Sequence, residues 1–187
     1  QARAQLFAMC EVRAIERAVA CDLVPAARGR FATEMKTRLG IAITDTEKAA
    51  DCLACDIVIA ATSSVTPIFD GAKLRPGTHI NAIGSHAPSA RELDTETVRR
   101  ATVVADHKPA CLLEAGDLLI PIQEGVITED HIRASIGEIA AGLKPGRTSC
   151  EEITLFKSVG WAGEDAATAA RVYELARAAG VGKESEV

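Results

Sequence analysis

The feature that most restricts the fold of this chain is the run Ile57-Val58-Ile59-Ala60-Ala61, which contains no polar residue. A strand with one face in water alternates apolar and polar residues, whereas a strand that is buried on both faces is apolar throughout. The run is short, and the polar residues Thr62-Ser63-Ser64 follow it directly. We therefore predict a strand of the kind found in parallel sheets that carry helices on both faces.

Helix and strand patterns alternate on both sides of this run. Predicted helices cover residues 2–12, 25–39, 46–54, 88–100, 110–115 and 162–179, and predicted strands cover 15–21, 41–43, 57–61, 79–83, 102–105 and 153–159. Between residue 115 and the last strand we predict an irregular stretch. Short strands that alternate with helices predict an α/β fold with a parallel sheet and right-handed connections. Ligands of such folds bind at the carboxyl ends of the strands.

Composition excludes several classes of protein. The chain has 187 residues, 48% of them apolar, which fits one globular domain with or without an appendage. Its net charge of −5 and its 3% aromatic content argue against a nucleic-acid partner. We expect no membrane partner, because no apolar run is long enough to span a bilayer. Cys52 and Cys55 form a C-x-x-C pair without a second pair at zinc-site spacing, so we expect no metal and a cytoplasmic location.

Two candidate ligand contacts follow predicted strands. Asp22 ends the first one, and an acid there can accept hydrogen bonds from the ribose hydroxyls of NAD while repelling the 2′-phosphate of NADP. The alternative is a polar turn before Pro25. Thr62 and Ser63 offer small hydroxyl groups to a cofactor, although residues of this type also cap helices and form turns.

The next strand leads into Ile83-Gly84-Ser85-His86. Glycine permits a close approach of the backbone to a ligand. Histidine commonly transfers protons in catalysis, so His86 is a candidate general acid or base, and the alternative is a solvated loop residue.

Several motifs in order along the chain resemble the ornithine cyclodeaminase/mu-crystallin family. They are Asp56-Ile-Val-Ile-Ala-Ala-Thr62-Ser-Ser, Pro76-Gly-Thr-His-Ile-Asn-Ala-Ile-Gly84, Arg91-Glu92-Leu93-Asp94, Glu114-Ala115-Gly116-Asp117-Leu118 and Glu152-Ile-Thr-Leu-Phe-Lys-Ser158-Val-Gly160. The resemblance implies a Rossmann-like dinucleotide domain joined to a second domain that forms a homodimer and much of the substrate site. Family members include NAD-dependent cyclodeaminases, amino-acid dehydrogenases, ketimine reductases and the ligand-binding mu-crystallin.

The resemblance also implies roles for individual residues. Gln1 and Ala2 correspond to the end of the glycine-rich phosphate loop, so we expect the first strand and the glycines of that loop to be absent from these residues. Asp22 corresponds to the ribose-binding acid, and Thr62, with Ser63 beside it, to a cofactor contact. Residues 83–86 correspond to the nicotinamide-lining stretch. Ser158 and Val159 correspond to residues that touch nicotinamide and substrate, respectively.

The same resemblance predicts two parts of the chain. Residues 1–150 form a partial NAD(P)-binding domain. Residues 151–187 form a return strand and a C-terminal helix that leads toward the second domain. In this chain we expect that helix to expose an apolar face or to pack on a neighbour.

Two positions depart from the cyclodeaminase pattern. His86 stands where cyclodeaminases carry a catalytic aspartate, and Ala90 stands where they carry a lysine. We therefore expect a fragment of an NAD-dependent ketimine reductase or amino-acid dehydrogenase acting on an amino acid or a cyclic imine, with NADP as a possible cofactor. The alternatives are a true ornithine cyclodeaminase, which forms proline and ammonia, and a non-enzymatic binding protein or inactive remnant.

Overall fold

A computed structural model describes residues 1–183 and residue 185. Three residues of the predicted C-terminal part, 184, 186 and 187, lie outside the described ones. The helices are α1 (Ala2–Val12), α2 (Pro25–Leu39), α3 (Thr95–Arg100), α4 (Lys108–Glu114), α5 (Gly116–Gln123), α6 (Ile136–Ala140) and α7 (Ala162–Ala178). The strands are β1 (Arg17–Cys21), β2 (Ala42–Thr46), β3 (Ile57–Ala60), β4 (His79–Ala82), β5 (Thr102–Ala105), β6 (Ile132–Ser135) and β7 (Thr154–Lys157).

The strands form two parallel sheets. Five of them pair in the order β3-β4-β7-β5-β6, and β1 pairs separately with β2. Every pairing is parallel, which confirms the predicted α/β class with flanking helices. The last strand in sequence, β7, lies in the middle of the larger sheet, between β4 and β5. The carboxyl ends of β3, β4, β7 and β5 therefore lie side by side.

The core lies on one face of the five-stranded sheet. Alternate strand residues such as Val58, Ile80, Val103 and Leu155 point into it, and each of them is at least 95% buried. Residues Ile57 and Ile59, on the other face, are only half-buried. The prediction that this strand is buried on both faces is therefore only partly met, although α1 contacts β3.

Several predicted elements have different bounds in the structure. The predicted helix at 88–100 begins only at Thr95, where the Asp94 carboxylate accepts the Thr97 N–H and caps it. The stretch after residue 115 is not irregular, because it holds α5, β6 and α6. A prediction from helix propensity misses α5, because Pro121 lies inside this helix and proline is unfavourable there. The predicted helix at 46–54 is a 3₁₀ helix, Ala49–Ala54.

The helix α7 buries no side chain among the described residues. Val172, Tyr173 and Leu175 are all exposed on it. This confirms the prediction that the C-terminal helix exposes apolar residues. None of the described helices has the length and apolar character needed to cross a membrane.

Candidate active site

A cleft of about 340 Å³ opens at the carboxyl ends of β3, β4 and β7. It brings together residues that are far apart in sequence: Gln1, Ala61, Thr62, Ile83, Gly84, His86 and Val159. Six of these seven were predicted as site residues from the sequence. The predicted residues Ala2, Ser63, Ser85 and Ser158 are their sequence neighbours and do not line the cleft. Asp22 lies elsewhere, directly after β1.

Two of the three predicted serines, Ser85 and Ser158, form hydrogen bonds within the protein. Ser85 is buried, and its hydroxyl donates to the carbonyl of Ala90 at 2.6 Å. The Ser158 hydroxyl donates to the Asp106 carboxylate at 2.8 Å. Both hydroxyl protons are therefore used within the protein, and these serines shape the cleft from below.

Glu92 is a site residue that the sequence reasoning did not single out. Its side chain is fully buried, and its two carboxylate oxygens accept from different loops. One oxygen accepts the Thr62 N–H at 2.5 Å, and the other accepts the Gly84 N–H at 2.7 Å. A Cβ atom on residue 84 would overlap both the Thr62 carbonyl and this carboxylate, so only glycine fits there.

A buried ion pair continues this network. The Lys157 ammonium lies 2.8 Å from the Asp117 carboxylate, and it donates to the Ser85 carbonyl at 2.7 Å. The other Asp117 oxygen accepts the N–H groups of Glu92 and Leu93 at 2.7 and 2.9 Å. The sequence carries a signal for the burial of Lys157 alone, because Lys157 stands two residues after Leu155 and thus on the core face of β7.

Asp106 organises the loop after β7. One carboxylate oxygen accepts from the Ser158 hydroxyl and from the N–H groups of Val159 and Gly160, at 2.8–2.9 Å. The other accepts the His107 N–H at 2.6 Å. Burial alone would raise the pKa of the Asp106 carboxyl, but the hydrogen bonds from His107 and Ser158 outweigh it, and the pKa lies below its usual value.

His86 is exposed at the cleft, with Nδ1 3.1 Å from the carbonyl oxygen of Gly84. A carbonyl oxygen only accepts hydrogen bonds, so Nδ1 carries the proton in this contact. In the neutral ring Nε2 is then the atom that can take up a proton.

Two further features suit a dinucleotide. Helix α1 begins beside the cleft at Ala2, without an acidic residue in its first turn and without a side-chain cap. Free N–H groups at such a helix start attract anions such as a pyrophosphate. Asp22 is exposed, and its Oδ1 accepts the Val24 N–H at 2.7 Å, which fixes the carboxylate at the end of β1.

A parallel α/β sheet with flanking helices and a cleft at its carboxyl edge is the architecture of the nucleotide-binding class of α/β folds. Within that class, the chain belongs to the ornithine cyclodeaminase/mu-crystallin family, whose model matches residues 1–180.

The chain is similar to solved structures of several relatives. The Δ1-pyrroline-2-carboxylate reductase of Thermococcus litoralis, in complex with NADH and L-proline, is 50% identical with a TM-score of 0.96, over 99% of this chain and 58% of that one. An archaeal alanine dehydrogenase dimer with bound NAD is 36% identical with a TM-score of 0.90, over 99% and 57% of the two chains. A Δ1-pyrroline-2-carboxylate reductase from Bacillus cereus is 37% identical over 100% of this chain and 58% of its own length. The chain thus spans somewhat more than half the length of these relatives.

Proposed function

We propose that the chain forms the cofactor-binding part of an NAD-dependent reductase of cyclic imino acids, which in reverse acts as an amino-acid dehydrogenase. The observation that carries this proposal is the cleft in which Gln1, Thr62, Gly84, His86 and Val159 meet at one edge of the sheet. The reductase relative with bound NADH and L-proline supports the cofactor and the substrate class.

The described residues suit such a cofactor. In this proposal Asp22 binds the ribose hydroxyls, and Gln1 and Ala2 at the start of α1 bind the pyrophosphate. The nicotinamide end lies among the residues around the cleft: Thr62, Ser63, Ile83, Gly84, Ser85 and Ser158. The bound cofactor supplies the hydride that reduces the C=N carbon.

The protein's own groups supply the rest of the chemistry. His86 carries the proton that the imine nitrogen gains, and Val159 contacts the substrate. The negative charge of Asp22 disfavours a 2′-phosphate, so NAD is preferred to NADP.

We also propose that both sheets belong to one Rossmann-like sheet. In that sheet a further strand, which these residues do not supply, lies side by side with β1 and β3 and is followed by a glycine-rich loop. The support is topological, because a two-stranded sheet such as β1-β2 is marginal by itself. In this arrangement residues 1–150 hold the cofactor. Residues 151–187 return through β7 and lead by α7 to a dimer-forming substrate domain.

Titration with NADH tests the cofactor site, with cofactor fluorescence and the emission of Trp161 as signals. We expect saturable binding that is tighter for NADH than for NADPH, and an absence of binding would contradict the proposal.

A chimera tests the reaction. In it, this chain replaces the matched part of the Thermococcus reductase, and the unmodified reductase is the control. We expect NADH oxidation with Δ1-pyrroline-2-carboxylate. Ammonia release from ornithine would favour a cyclodeaminase instead, and binding without either reaction would favour a binding protein.

A further inference from the structure

Buried charged residues surround the backbone of the cleft-lining residues. Glu92, Asp117 and Lys157 are each fully buried, and none of them lines the cleft. Glu92 bonds to main-chain N–H groups of two cleft-lining residues, and Asp117 and Lys157 bond to main-chain atoms next to them in this network. We call these three residues the ionic clamp.

The clamp closes a ring of contacts under the cleft. Glu92 joins the Thr62 and Gly84 N–H groups, and thereby fixes the loop after β3 relative to the loop after β4. Asp117 holds the main chain of Glu92, and it pairs with Lys157. Lys157 then returns to the Ser85 carbonyl, in the same loop that Glu92 holds at Gly84.

Charge and position separate this arrangement from ordinary core packing. Burying a charged group is unfavourable unless it is paired and fully hydrogen-bonded, and an apolar core would satisfy packing alone. Lys157 is the last residue of β7, and Glu92 accepts hydrogen bonds from two residues that line the cleft. Charge-assisted hydrogen bonds fix geometry more strictly than apolar contacts do, because they depend on direction.

We infer that the ionic clamp sets the spacing between Thr62 and Gly84 and thereby positions the two loops that receive the nicotinamide end of the cofactor. Glu92, Asp117 and Lys157 are positioning residues in this inference, and Glu92 is the central one because it spans both loops. The inference rests on the proposed cofactor site and adds the groups that determine its shape.

Glu92→Gln tests the inference with little change in volume. The amide places an NH₂ group against one of the two backbone N–H donors, so one bond is lost and two donors face each other. The matched control is Glu152→Gln. Glu152 also accepts a backbone N–H, from Thr148, and a hydroxyl, from Thr102, but it lies at the amino ends of β5 and β7.

We expect Glu92→Gln to weaken NADH binding about tenfold or more, which corresponds to about 1.4 kcal/mol. We also expect the emission maximum of bound NADH to shift. Glu152→Gln should lower Tm to a comparable extent but leave the NADH affinity and the emission maximum of bound NADH unchanged. Equal NADH affinity in the two variants at matched Tm would overturn the inference.

Amide hydrogen exchange in the unmodified chain gives a second measurement that needs no variant. Thr62 is an exposed residue, yet its N–H should exchange as slowly as that of Ile83, which donates to the Ala60 carbonyl. Should Glu92→Gln fail to fold, slow exchange at Thr62 and Gly84 supports the clamp, and exchange as fast as at exposed Ser63 overturns it. Failure of the unmodified chain to bind NADH would instead count against the proposed cofactor site, and is thus distinguished from failure of the clamp.

Discussion

The ammonium of Lys157 and the carboxylate of Asp117 lie 2.8 Å apart, and both side chains are completely shielded from solvent. They meet because β7 inserts between β4 and β5, which places the end of this strand against the start of α5. The pair is the only one among the described ion pairs in which both side chains have no exposed surface.

Removing one partner of this pair should be strongly destabilising. Lys157→Met leaves the Asp117 charge buried without a cation, and we expect a loss of about 3–5 kcal/mol in the free energy of unfolding. The double variant Lys157→Met/Asp117→Asn removes both charges and keeps the amide oxygen for the N–H groups of Glu92 and Leu93. In urea unfolding, the double variant should be more stable than Lys157→Met alone. A double variant that is less stable than the single one would contradict the ion-pair argument.

Gly84→Ala should disturb the fold and the cleft together. The added methyl group overlaps the Thr62 carbonyl and the Glu92 carboxylate, and overpacking of this kind is destabilising by about 1–3 kcal/mol. The control is Gly137→Ala in α6, where nothing lies within 4 Å of the new Cβ atom. We expect the control to be neutral or slightly stabilising in thermal unfolding, with unchanged NADH affinity. Equal effects of the two substitutions would contradict the close contact at Gly84.

Glu152 predicts a pH dependence of stability. Hydrogen bonds from the Thr102 hydroxyl and the Thr148 N–H lower the pKa of the Glu152 carboxyl from 4.5 to about 2. Because the pKa is lower in the folded state, the stabilisation is complete above the unfolded value and is lost as the pH falls through the folded value. The difference in unfolding free energy between the unmodified chain and Glu152→Gln should therefore be constant above pH 4.5 and shrink toward pH 2. A difference that does not change with pH over this range would rule out the shift.

Local signals in the sequence predicted some elements well. Helix α2 begins at Pro25 as expected and ends before Gly40, whose φ of 68° is the left-handed conformation that glycine adopts easily. Residues 88–94 were predicted to be the start of a helix, but the helix begins only at Thr95. Asp117 instead takes the N–H groups of Glu92 and Leu93, so a tertiary contact overrides the local preference.

The candidate site, like the secondary structure, was predictable only where local sequence signals indicate it. Strand ends in the sequence indicated Thr62, Gly84 and His86, because the carboxyl ends of parallel strands lie along one edge. The ionic clamp was not predictable in this way, since the contact from Lys157 to Ser85 joins residues 72 positions apart. That contact depends on the order of the strands in the sheet, which the sequence pattern does not reveal.

His86 should affect turnover more than cofactor binding. In the chimera with the Thermococcus reductase, His86→Ala should lower turnover of Δ1-pyrroline-2-carboxylate about 10²–10⁴-fold, the usual contribution of a general acid or base. His86→Gln keeps a donor for the Gly84 carbonyl but carries no titratable proton, so it should show the same loss with unchanged NADH affinity. Steady-state rates from pH 5 to 9 provide the measurement, and unchanged turnover across this range would exclude His86 from the reaction.

Asp22→Asn should shift cofactor preference toward NADPH. The amide oxygen can still accept the Val24 N–H, so the turn is kept while the charge that repels a 2′-phosphate is lost. A like charge about 4 Å away is worth about 1 kcal/mol in water, so the ratio of NADH to NADPH affinity should fall about fivefold. Asp70→Asn is the matched control, because exposed Asp70 accepts the Ala72 N–H in the same i to i+2 pattern away from β1. Fluorescence titrations with both cofactors measure the ratio, and an equal change in the two variants would show that Asp22 does not face the ribose.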